Sequence, residues 1–144
     1  MGKSKTRTSI RWLTFRDSKG KTWVVDITSS DIDHNSLTSE QGEPYSGCTL
    51  LEEHRIVLDA GSPRSEQDYI LLHELSHVAC NDNVLRKELK AIQTGDKAED
   101  AEEAVIRAVS ASLYKILRQF GLQWPERPKT ARALERATRK KIKK

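Results

Sequence analysis

Between Ile70 and Ala79 an apolar run carries three residues that resist burial: His73, Glu74 and His77, within His-Glu-Leu-Ser-His. The surrounding segment, 65–80, has helical periodicity, with Leu71, Leu75 and Val78 on one face at intervals of four and three. Ile70 and Leu72 flank that face, which predicts a helix buried around much of its girth. Ser65, with Asp68 three positions on, offers an N-cap, and Asn81-Asp82-Asn83 an end. Imidazoles four apart stand one turn apart on the same face. Left unpaired in apolar surroundings, two histidines and a carboxylate are costly to bury. A cation resolves that cost. Both rings can reach one Zn²⁺ at about 2.0–2.1 Å. Glu74, on the same helix, can then take a proton from water as a general base. The competing reading of these five residues is an exposed, charged face of an ordinary helix.

A catalytic zinc needs a third protein ligand and an open position. The start of a second helical segment, 98–120, is acidic: Glu99, Asp100, Glu102 and Glu103. Val109, Leu113, Ile116, Leu117 and Phe120 cluster on one side of that helix, and Gly121 and Trp124-Pro125 stop it. With Leu113 at zero on a wheel of about 100° per residue, Glu102 falls near −20°, Glu99 near 40° and Glu103 near 80°. Glu102 thus lies in the middle of the apolar stripe, and is the first choice as third ligand. Glu103, at its edge, is the close competitor. An acidic first turn favoured by the helix dipole accounts for the run of acids but not for the position of Glu102.

Upstream, residues 9–16 and 22–28 are rich in β-branched and aromatic side chains and flank the turn-forming Asp17-Ser18-Lys19-Gly20-Lys21, so a β-hairpin is expected. Residues 29–47 are polar and aperiodic and read as a long loop. Residues 48–59 read as one or two further strands, and Trp12, Trp23 and Trp124 as packing residues. His34 and His54 read as surface histidines, and Cys80, three residues after His77, as a structural thiol.

The chain has 144 residues, enough for one core. No stretch approaches the roughly 18–20 apolar residues of a membrane span. The basic N-terminus lacks the apolar run of a secretory signal. Met1 to Thr6 fits the permissive myristoylation pattern, with no lipid as the expectation. Cys48 and Cys80 form no disulfide framework or zinc knuckle, so a cytoplasmic setting is expected. The formal net charge of +4 is unevenly spread. Residues 1–16 carry +5 and residues 126–144 carry +7, which leaves −8 for the residues between. Basic ends of this kind can attract nucleic acid or other anions, or simply keep the protein soluble.

The stretch Ile70-Leu-Leu-His-Glu-Leu-Ser-His-Val-Ala79, followed by Glu102-Glu-Ala-Val-Ile-Arg-Ala and an amphipathic helix, resembles a minimal zincin. It is similar to small phage and prophage metallopeptidases related to the SprT-like and ImmA/IrrE groups, over roughly residues 48–120. The Ala-Asn-x-Phe-Ala pattern of the ImmA-like group is absent. The resemblance implies an α+β domain with a short, mostly antiparallel sheet packed on the motif helix and a glutamate-bearing helix. It implies Zn²⁺ held by His73, His77 and Glu102, with Glu74 as base, acting on a protein or peptide. It also implies that an extended substrate lies along a sheet edge, for which His54–Asp59 is the candidate strand. No second oxyanion donor stands out in the sequence: Tyr69, Tyr114 and Arg107 are candidates, with a structural role as the expectation for each. Residues 1–125 would form the domain and residues 126–144 a basic tail. The alternative is a nucleic-acid-binding protein with a structural or vestigial zinc site.

Overall fold

β-Branched and aromatic residues alternate with polar ones on both sides of a tight turn, and the chain pairs there as a hairpin. Strand β1 (Ile10–Arg16) runs antiparallel to β2 (Thr22–Thr28). Asp17 organises the turn by accepting from the backbone N–H groups of Lys19 and Lys21 and from the Trp23 indole, each at 2.9 Å. The computed structural model describes residues 8–81, 87, 97–121 and 123–142. The basic residues Lys3, Lys5 and Arg7, the myristoylation pattern, and Asp82 and Asn83 lie outside them.

The polar stretch after β2 is more ordered than a plain loop. It holds a one-turn helix, α1 (His34–Leu37), and an isolated bridge between Thr38 and Pro44. Its anchor is Asp33, which accepts from the Ser36 N–H and pairs with Arg55 at 2.9 Å. Arg55 in turn pairs with the buried Asp26 of β2 at 2.8 Å. Two further strands follow, β3 (Gly47–Leu50) and β4 (Arg55–Asp59), joined as an antiparallel hairpin. The sheet order is β1-β2-β4-β3, with β2 and β4 parallel at its centre. The sheet is therefore mixed, and β4 is an inner strand. The edge at this end is β3, not His54–Asp59, because the hairpin folds β3 outward from β4. His54 sits in the connecting turn at φ 50°, edge-on to Trp23.

Helix α2 (Arg64–Cys80) packs on β3 and β4. Leu71 and Val78 enter the main core, with Leu75 packed against it, as the spacing predicts. Its N-cap is Pro63, one position before the helix, rather than Ser65, and no side chain caps it. Gln67 is fully buried in the first turn and donates to the Asp59 and Ser62 carbonyls at 3.1 and 3.0 Å. Gly47 lets β3 approach α2 closely: a Cβ there would meet the Ile70 side chain and the Val57 carbonyl.

Helix α3 (Lys97–Gln119) packs on α2 and ends at Gly121, at φ 71°. Its buried face differs from the expected stripe. Ile106 and Ser110 are buried, whereas Val105, Val109, Leu113, Ile116 and Phe120 are exposed. The stripe is continuous on the wheel, but α2 meets the helix about 60° to one side of Leu113.

The C-terminal residues do not form a free tail. Helix α4 (Lys129–Ile142) places Ala131 and Leu134 in the same core as Trp12, Trp23, Val25 and Ile27. Before it, Trp12 donates to the Pro125 carbonyl at 3.1 Å, and the Arg127 guanidinium lies 4.4 Å from the Trp12 ring centre. Arg127 also donates to Gln67 and Asp68 at 2.9 and 2.6 Å. A division at residue 125 would cut through this joint, so residues 126–142 belong with the domain. The architecture is α+β. No helix among the described residues is long and apolar enough to cross a membrane.

Candidate metal centre

Helix α2 turns His73 and His77 toward α3, with ring centres 5.0 Å apart. Glu103 stands opposite and bridges them. Its Oε1 lies 3.2 Å from His73 Nε2 and its Oε2 3.0 Å from His77 Nε2. One donor atom from each of these three residues lies within 4.8 Å of the others. Glu102, the wheel's first choice, is beside this group rather than in it. Its Oε1 is 3.2 Å from the other nitrogen of His77, Nδ1.

The physical reason for the exchange is the rotation of α3 on α2. The buried face runs through Ile106 and Ser110, near 20° and 60° on the wheel, which brings Glu103 at about 80° inward. Ser110 approaches Ser76 of α2 at 3.4 Å, which marks the line of contact. The side chains of Glu99 and Asp100 lie outside those described.

Glu74 reaches the sheet at Thr49 and is 7% exposed. The Thr49 hydroxyl, on edge strand β3, lies 2.5 Å from Glu74 Oε2 and 3.2 Å from the Glu74 carbonyl oxygen. A hydroxyl has one proton to give, and the shorter contact to the carboxylate takes it. Burial pushes the Glu74 carboxyl above its ordinary value; the Thr49 hydrogen bond and the charges on His77 and His73 pull it back, and Glu103 adds to the rise. A raised carboxyl is a stronger base, which suits proton abstraction near neutral pH.

These groups open onto a cleft of about 680 Å³. One wall is α2 with His73, Glu74 and His77; the other is β3, through Gly47, Cys48 and Thr49. The Cys48 thiol is pushed up to about 11, by burial first and then by the charge of Glu74, so it stays protonated at neutral pH. Cys80 is also raised, by burial and by Glu102, and neither thiol joins the three-donor group. Tyr69 and Arg107 line the cleft, and Arg107 pairs with Glu103 at 3.1 Å. Tyr114 does not line it: its hydroxyl lies 3.4 Å from the Ser65 carbonyl, in a different cavity.

Thr49 is the functional neighbour that pattern reading missed. A signal for it exists: a glutamate committed to a buried helix needs a donor, and the hairpin preceding that helix supplies one from its first strand, β3, in Thr49. Compared with known proteins, the chain matches no family model, no curated protein and no solved structure.

Proposed function

We propose that the chain is a zinc-dependent peptidase in which His73, His77 and Glu103 hold the ion and Glu74 is the general base. The observation that carries this reading is the convergence of two imidazoles and one carboxylate, at N···O separations of 3.0 and 3.2 Å. Two ligands each about 2.0–2.1 Å from a single ion at the tetrahedral angle stand about 3.3 Å apart, so little movement is required. Three ligands facing a cleft also leave a coordination position free, whereas structural zinc is usually closed by four. When bound, zinc would polarise a scissile carbonyl and acidify water.

The chain's own residues do the rest. Glu102 accepts from His77 Nδ1 and so fixes the tautomer that leaves Nε2 free for the ion. Glu74 takes the proton from the attacking water and returns it to the leaving amine. Thr49 holds the Glu74 carboxylate in position. The edge strand β3 beside the cleft can hold an extended peptide by backbone pairing. Arg107 and Tyr69 line the same cleft and are the candidates to steady the charge that develops on a carbonyl oxygen.

Glu74→Gln tests the assignment. Retained fold, retained zinc and a loss of at least about 100-fold in cleavage of an unfolded protein substrate are expected. Unchanged cleavage would remove Glu74 from the mechanism.

A further inference from the structure

A second cavity, of about 560 Å³, lies where α2, α3 and the entry to α4 meet. It opens on a different face of α2 from the metal centre: with His73 at zero, Ser65, Asp68 and Leu72 fall about 80–140° away. Tyr69 of the cleft and Tyr114 of the cavity meet edge to face at 5.9 Å and separate the two.

The lining combines apolar and aromatic side chains (Leu72, Leu117, Tyr114 and Trp124) with cationic ones. Four arginines line it: Arg64, Arg118, Arg127 and Arg132. Against them stand Asp68 and Glu126. Asp68 is already taken by Arg127, whose own side chain is 7% exposed and stacked on Trp12. Arg64 shares Glu135 with Arg139 at 3.5 and 3.8 Å. Arg118 and Arg132 make no ion pair among the described residues. The lining therefore keeps positive charge to spare. Trp124 packs partly buried against the core and is pinned by its indole N–H to the Asp68 carbonyl at 3.1 Å, so the ring that lines the cavity is held in place.

Arg132 also begins a longer cationic track. On a wheel of about 100° per residue, Lys129, Arg132, Arg136, Arg139 and Lys140 fall within an arc of about 100° on α4. All five are exposed, and the arc points away from Ala131 and Leu134 in the core. A concave pocket with a fixed ring and guanidinium groups, continued by a line of positive charge, matches a polyanion that carries planar bases at intervals. A duplex keeps its bases stacked and offers nothing for the pocket. An acidic peptide matches the charge but not the ring.

We infer that this cavity and the exposed face of α4 form a binding site for single-stranded nucleic acid, with one base on Trp124 and its phosphates on Arg118 and Arg132. The site uses none of the metal-centre residues and stands whether or not the chain is a peptidase.

The test is fluorescence anisotropy of the full chain with a 5′-labelled oligothymidylate. Its competitors are a duplex, an abasic deoxyribose-phosphate oligomer of the same length, and polyglutamate. Saturable binding is expected, with the abasic oligomer at least about tenfold weaker because stacking is lost. Duplex and polyglutamate should compete more weakly than unlabelled oligothymidylate. Arg118→Glu combined with Arg132→Glu, both at exposed positions, should weaken binding at least about tenfold. It should also flatten the salt dependence by about 1.4, at about 0.7 per phosphate contact. Circular dichroism of the double variant controls for folding. No binding at about 100 μM protein in low salt would overturn the inference. So would equal binding of the abasic oligomer, equal competition by duplex or polyglutamate, or a folded double variant of unchanged affinity.

Discussion

Glu74 shows how much a single buried carboxylate demands of its surroundings. Desolvation drives it toward neutrality, and the Thr49 hydroxyl and the two imidazoles oppose that drive. Thr49→Val keeps the shape and removes the donor. It is expected to destabilise the protein by about 2 kcal/mol, seen as a fall of about 4–8 °C in Tm, with Thr49→Ser recovering most of the loss. An unchanged melting temperature would mean that the hydroxyl does not hold the carboxylate. At this scale the motif residues were legible because spacing alone puts His73, Glu74 and His77 together on one turn and a half of helix. The choice between Glu102 and Glu103 was not legible. It depends on which side of α3 meets α2, and a wheel centred on the apolar stripe picks the wrong side by about 60°.

Among the elements, the segment from residue 29 to residue 46 illustrates how a polar stretch acquires order without a core of its own. Asp33 caps α1 and pairs with Arg55, which also holds Asp26. Burial opposes ionisation of Asp33, but hydrogen bonds from Ser36 and Arg55 outweigh it and hold its carboxyl below the ordinary 3.8. A carboxyl depressed in the folded state stabilises the fold above its unfolded value, and that contribution is lost as pH falls through the folded value. Asp33→Asn should therefore lower stability near pH 7, and the gap from wild type should close as pH falls below 3.8. Denaturant titrations at stepped pH check this; a gap that widens in acid contradicts it. The β1–β2 hairpin and both long helices were readable from periodicity, since their patterns are local. That β3 rather than β4 forms the edge was not, because strand order is decided by contacts distant in sequence.

For the whole molecule, the C-terminal residues close the structure rather than trail from it. Arg127 joins β1 to α2 through Trp12, Gln67 and Asp68, and α4 buries Ala131 and Leu134 against the sheet core. Leu134→Ala is expected to cost about 3 kcal/mol in chemical denaturation, the range for a leucine truncated in a packed core. A solvated tail would show no effect. Composition pointed to a basic tail because charge dominates that stretch, and the apolar positions that anchor it are few and small.

The most direct test of the account is the zinc content of purified protein in three forms: wild type, Glu103→Ala and Glu102→Ala, each checked for folding. One equivalent is predicted in the wild type and none in Glu103→Ala. Glu102→Ala should keep its equivalent at saturating zinc while binding it about 10–100-fold more weakly, as expected for a residue that only orients His77. A folded wild-type protein that takes up no zinc would contradict the account. So would a Glu103→Ala variant that keeps zinc while Glu102→Ala loses it.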